Sequence, residues 1–128
     1  MPNANVPAPV ILVVDDDTQI RVLLRRFLAG KGYAVYESAS VSGAQEFLRK
    51  TEVDLVILDV FIPEEDGLEF IRESRRLTHK YKILAMSGYA APFLRIAAQF
   101  GANAVIAKPF NQEQLLSSVK DLLPPGEL

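Results

Sequence analysis

The stretch Val56–Pro63, VILDVFIP, carries one ionisable side chain, Asp59, in an otherwise apolar run. A lone buried carboxylate is costly unless a cation or hydrogen-bond donors meet it. The segment reads as a core strand, Leu55 to Asp59, whose last residue needs partners from elsewhere in the chain. After it, PEEDG (Pro63–Gly67) turns the chain into a helix with Leu68 and Ile71 inward.

Outward from this strand, strand-like and helix-like patterns alternate without a break. Val10 to Val14 is a continuous apolar run, the mark of a strand buried on both faces. Ile20, Leu23, Leu24, Phe27 and Leu28 follow at helical spacing, and the glycines of GKG (Gly30–Gly32) end that helix. Tyr33 to Tyr36 is expected as a short second strand. Val41, Ala44, Phe47 and Leu48 line a second helix capped by Ser40.

Beyond Gly67, Lys82 to Met86 is the fourth strand. An Ala-rich helix from Ala90 to Phe100 places Leu94, Ala97 and Ala98 on one face and closes at Gly101. Ala104 to Ala107 is the fifth strand. The last helix buries Leu115, Leu116, Val119, Leu122 and Leu123, and Pro124-Pro125 stops it. Five strands alternating with five helices predict an α/β domain, a doubly wound parallel sheet with helices on both faces. Ligands in such folds sit at the carboxyl ends of the strands. Residues 1–9, rich in proline and asparagine, are expected to form a flexible arm, 10–123 the domain, and 124–128 a tail.

Composition narrows the function. The 128 residues are 49% hydrophobic and 23% charged, ordinary for one globular domain. A net charge of −2, with no basic run longer than two residues, argues against a nucleic-acid surface. Without cysteine, disulfides and thiolate metal sites are excluded. No apolar run approaches the ~18 residues that span a bilayer, and the N-terminus lacks a secretory pattern. A cytoplasmic protein is the expectation, with no membrane partner.

Four of the five strands end in a polar residue able to reach one crevice. VVDDD ends the first with Asp15, Asp16 and Asp17; Asp59 ends the third, Ser87 the fourth and Lys108 the fifth. Three carboxylates in one place need a cation to stay ionised together. Oxygen ligands without His or Cys favour Mg²⁺, which keeps waters and accepts a phosphoryl oxygen. With Lys108 and the Ser87 hydroxyl, such a site suits a transferring phosphoryl group attacked in line by an Asp59 oxygen.

ILVVDDD, LVILDVFIPEEDG, ILAMSG and AKPF stand in one order over nearly the whole chain, and with them the sequence resembles the receiver domain of two-component response regulators, similar to single-domain chemotaxis-type receivers. The resemblance implies a flavodoxin-like sheet of strand order 2-1-3-4-5. It implies that Asp59 is the phosphoacceptor, that Asp16 ligates Mg²⁺ directly and Asp15 through water, and that the Phe61 carbonyl is a further ligand. Ser87 and Lys108 would each meet a phosphoryl oxygen, and the Lys108-Pro109 bond would be cis. A sensor histidine kinase or histidine phosphotransfer protein would be the donor, docking on a first helix that exposes Arg21, Arg25 and Arg26. A downstream protein or a fused output domain would receive the signal, and the phosphoryl group would leave slowly by autodephosphorylation. Such a chain is a phosphoacceptor, not a conventional enzyme.

Plainer readings stand beside these. Asp15 to Asp17 can cap a helix, Asp59 can be a solvated strand end, and Lys108 with Asp59 can form a structural pair in a pseudo-receiver scaffold that works without phosphorylation. An Asp-nucleophile phosphohydrolase usually places an acid/base Asp two residues on, where Phe61 stands here. Three departures from the family pattern stand out. Val105 stands where an aromatic residue is common, Ser87 replaces the commoner Thr, and bulky Phe61 and Tyr89 flank the phosphoryl position.

Overall fold

The structure, a computed structural model, describes residues 7–88 and 91–124. Its elements are β1 (Val10–Val14), α1 (Thr18–Ala29), β2 (Ala34–Ser38), α2 (Val41–Lys50), β3 (Leu55–Asp59), α3 (Gly67–Leu77), β4 (Lys82–Ser87), α4 (Ala91–Phe100), β5 (Ala104–Ala107) and α5 (Gln112–Leu122). All pairings are parallel, in the order β2-β1-β3-β4-β5. This is the doubly wound, flavodoxin-like sheet that the motifs imply, with β3 at its centre.

Alternation along the strands divides the core into two layers. Leu12, Val14, Val56, Leu58, Ile83 and Ala85 face α2, α3 and α4, meeting Val41, Ala44, Phe70, Ile71 and Ala97. Ile11, Val13, Leu55, Ile57, Leu84 and Met86 face α1 and α5, meeting Leu24, Leu28, Leu115 and Val119. Each such Leu or Ile, taken from water, contributes about 1.5–3 kcal/mol. Helix starts are set by side chains: Asp17, Ser40, Asp66 and Asn111 each accept a main-chain N–H of the following turn.

Several details differ from the sequence expectation. β2 begins at Ala34 and runs on through Glu37 and Ser38. It is an edge strand, so polar residues are tolerated and the apolar run does not mark its end. Leu23 is 60% exposed, and Ala98 is exposed rather than facing inward with Leu94 and Ala97. Leu116 and Leu122 are half-buried flanks of the α5 stripe. No helix among the described residues is long and apolar enough to cross a membrane. Pro9, in the segment read as an arm, accepts the Ala34 N–H at 2.9 Å.

Two turns shape the approach to the crevice. In the loop after β3, the Glu65 N–H donates to the Ile62 carbonyl, with Pro63 and Glu64 between them and Glu64 at φ +65°. This is the pattern of a type II turn, where a positive φ falls on the third residue. Its next residue reaches across the molecule: the Glu65 carboxylate accepts the Val41 and Ser42 N–H groups at 2.7 and 3.1 Å, at the start of α2. Gly67 then opens α3 hard against β3, since a Cβ there would lie 2.7 Å from the Val60 carbonyl oxygen.

Candidate functional site

Parallel pairing brings the strand ends together. Asp59 lies opposite Met86 and Ser87 opposite Ala107, and the Lys108 N–H donates to the Ser87 carbonyl at 2.8 Å. Asp15 follows β1 directly and donates its N–H to the Ser38 carbonyl at 3.1 Å. Thus Asp15, Asp59, Ser87 and Lys108 gather at the carboxyl end of the sheet because each ends or follows a strand of it.

Asp15, Asp16 and Asp59 each place a carboxylate oxygen within 4.8 Å of the others. Asp15 and Asp59 are buried, whereas Asp16 is exposed. Lys108 Nζ donates to Asp15 Oδ2 and to Asp59 Oδ2, both at 2.9 Å. The Phe61 N–H donates to Asp59 Oδ1 at 2.9 Å, and the Asp17 N–H to Asp15 Oδ1 at 2.9 Å. One ammonium against three carboxylates leaves two negative charges, which suits a divalent cation. The donor set is oxygen only, with one carboxylate open to solvent, and so fits a hard ion that keeps several waters.

Burial pushes the Asp59 carboxyl above the usual carboxylate range, against the hydrogen bonds from Lys108 and the Phe61 N–H that pull it down. For Lys108, burial works to lower the ammonium, but the hydrogen bonds and charges of Asp15 and Asp59 together outweigh it and raise it. Lys108 therefore stays charged at neutral pH and holds two carboxylates at once.

The sequence-predicted residues divide clearly. Asp15, Asp16, Asp59 and Lys108 form one cluster, and Phe61 joins it through its main chain. Ser87 is fully buried at the neighbouring strand end. The Lys108-Pro109 bond is cis. Asp17 caps α1 by accepting the Gln19 N–H at 2.9 Å, the structural role open to it. Tyr89 lies outside the described residues. Val105, where an aromatic would be usual, is 37% exposed.

Arg21 is not the exposed residue anticipated. Its Nε pairs with Glu37 at 3.2 Å and its Nη1 donates to the Asp15 carbonyl at 2.7 Å, so it braces the acidic turn from behind. Arg25 shares Glu37 with it, and Arg26 is left exposed. Sequence reasoning missed this brace because Glu37 lies on a separate strand with no motif of its own. A separate cavity of about 660 Å³, lined by Leu48, Asp54, Leu77 and Tyr81, lies away from these residues, at the amino ends of β3 and β4.

Known proteins agree with this architecture. The profile of the response regulator receiver domain matches residues 11–120, and the chain belongs to that family of two-component systems. Sporulation initiation phosphotransferase F of Bacillus subtilis (strain 168) is 31% identical over 115 residues, 89% of this chain and 93% of that protein. Sensor kinase CckA of Brucella abortus (strain 2308) is 38% identical over 119 residues, which cover 88% of this chain and 12% of the kinase. Among solved structures, a CheY-like response regulator receiver domain protein from Methanospirillum hungatei JF-1 superposes with a TM-score of 0.83 at 29% identity, covering 89% of this chain and 92% of that one.

Proposed function

We propose that the chain accepts a phosphoryl group on Asp59 from a histidine kinase or histidine phosphotransfer protein, in a Mg²⁺-dependent reaction, and signals by the surface change that follows. The observation that carries this is the convergence of Asp15, Asp16 and Asp59 with Lys108 bonded to the acceptor carboxylate. As an Asp59 oxygen bonds to phosphorus, the donor P–N bond breaks. The electron pair stays on the histidine nitrogen, and the imidazole leaves neutral when its other nitrogen carries the proton. Lys108 moves from the carboxylate to a phosphoryl oxygen, and the Ser87 hydroxyl is the proposed donor to another. The Phe61 N–H steadies Asp59 through Oδ1. Mg²⁺, held by Asp16, Asp59 and the Phe61 carbonyl, with Asp15 acting through water, would supply neutralising charge for the phosphoryl oxygens.

In this reading residues 10–123 are the receiver unit, 1–9 its arm and 124–128 its tail, working in the cytoplasm. The exposed Arg26 and Leu23 of α1 lie on the face offered to the donor. The test is incubation with acetyl phosphate or beryllofluoride and Mg²⁺. Stoichiometric loading that disappears in Asp59→Asn supports the acceptor; no loading by either reagent replaces it with a phosphorylation-independent scaffold.

Hydrolysis of the acyl phosphate needs a water in line with the Asp59 oxygen. The Phe61 side chain has no polar atom to orient one, and its ring is packed on Phe93. Slow autodephosphorylation is therefore proposed. Phe61→Asn should shorten the lifetime of the phosphorylated protein by about tenfold, through restored orientation of the water. An unchanged decay rate removes Phe61 from control of the lifetime.

A further inference from the structure

Phe61 touches more than the acceptor. Its ring meets that of Phe93 edge to face, with centroids 4.6 Å apart and planes at 86°. Phe93 is the third residue of α4, and 37% of it is exposed. On the other side, Phe61 is two residues from Asp59 and bonds its Oδ1 through the main-chain N–H. A path of one hydrogen bond and one ring contact thus joins the carboxylate to the first turn of α4.

The far end of α4 is held quite differently. Arg75 of α3 donates from Nε to the Gly101 carbonyl at 3.0 Å, and from its Nη atoms to the Tyr81 carbonyl at 2.7 Å, the Thr78 carbonyl at 3.2 Å and Asn103 Oδ1 at 3.1 Å. That Asn103 oxygen also accepts the Ile83 N–H of β4 at 2.8 Å. Gly101 adopts φ +122°, and a Cβ there would fall 2.2 Å from Arg75 Cγ. Moving this end means breaking the two charged hydrogen bonds from Arg75 to Gly101 and Asn103. Sliding one ring past another leaves no polar group unpaired.

We propose that the Phe61–Phe93 contact is the joint through which loading of Asp59 repositions the first turn of α4, the helix turning about its Arg75-clamped end. Four heavy atoms added at a crowded carboxylate displace the main chain bonded to it, and Phe61 carries that displacement to Phe93. The joint does the work that an aromatic ring at position 105 cannot do here, because that residue is Val105. A ring pair of this kind biases a two-state equilibrium by about two- to tenfold. The inference rests on the reading of Asp59 as acceptor.

The test compares nuclear resonance spectra of the full chain with Mg²⁺, before and after beryllofluoride, for the parent, Phe93→Ala and Phe93→Tyr. In the parent, the amides of Asp59 and Lys108, the Phe93 ring and the amides of residues 93–96 should all respond. In Phe93→Ala the Asp59 and Lys108 responses should remain while those of residues 94–96 fall by at least half; Phe93→Tyr, which keeps the ring, should restore them. A responding site with undiminished α4 changes in Phe93→Ala overturns the joint and leaves the acceptor standing. So does a silent Phe93 ring in the loaded parent, which needs no variant to fold. A parent in which Asp59 and Lys108 themselves stay silent overturns the acceptor reading and this inference together.

Discussion

The surroundings of Asp59 oppose its ionisation. Its folded-state pKa is raised, chiefly by burial. A raised value means that stability drawn from the bound proton is present below the carboxylate range and is lost as pH rises through the folded pKa. Above its folded pKa the charge on Asp59 is therefore a net cost to the apo fold. Asp59→Asn keeps the shape, leaves Lys108 its bond to Asp15 and removes that cost. It should abolish phosphorylation and leave the melting temperature unchanged or higher, by up to roughly 5 °C, about 1 kcal/mol for a domain of this size. Phosphorylation persisting in that variant would move the acceptor elsewhere, and a clear drop in melting temperature would contradict the sign of the burial argument.

At the scale of elements, the Arg75 clamp joins α3 to the α4–β5 connection. Arg75→Ala would leave partly buried carbonyls of Gly101 and Tyr81 without their charged donor, at a cost of about 2–3 kcal/mol. Urea unfolding should show the midpoint falling, with the steepness of the transition unchanged. A loss below about 0.5 kcal/mol would mean that water replaces the guanidinium without penalty. The same contrast between local and distant signals explains what could be read beforehand. The bounds of β3 and β5 were legible because their apolar runs stop at a polar or turn residue, and Asp15, Asp16, Asp59 and Lys108 because strand ends in a parallel sheet converge. Arg75, Arg21 and Glu65 were not, since each also reaches a partner distant in sequence (Gly101, Glu37 and the start of α2 in turn), and nothing in a residue's own neighbours announces such a bond. Leu23 and Ala98 misled for a related reason. A helical stripe is wider in sequence than the strip that the sheet covers, and which edge stays wet depends on the helix's rotation about its axis.

For the whole molecule, the two uncompensated charges at the carboxyl end should make stability depend on the ion supplied. Mg²⁺ binding only the folded chain should stabilise it by about 1.4 kcal/mol at ten times its dissociation constant. Asp16→Ala should abolish that gain while leaving the apo protein as stable or slightly more so, because a repelling carboxylate is gone. Calorimetric scans across a Mg²⁺ series would check both, and a melting temperature indifferent to millimolar Mg²⁺ would count against the site.

Near the same end of the sheet, the first turn of α2 turns its free N–H groups toward Glu65, whose carboxylate accepts two of them. A helix start of this kind is a natural seat for inorganic phosphate or sulfate. Here the seat is taken by a tethered anion, present at an effective concentration on the order of millimolar or above. Free phosphate must evict Glu65 before it can settle there. The consequence is selectivity between two forms of the same chemical group. Phosphate dissolved in the surrounding medium meets an occupied berth at α2, while in the proposed reaction a phosphoryl group handed over in a covalent bond is directed to Asp59 at the neighbouring strand end.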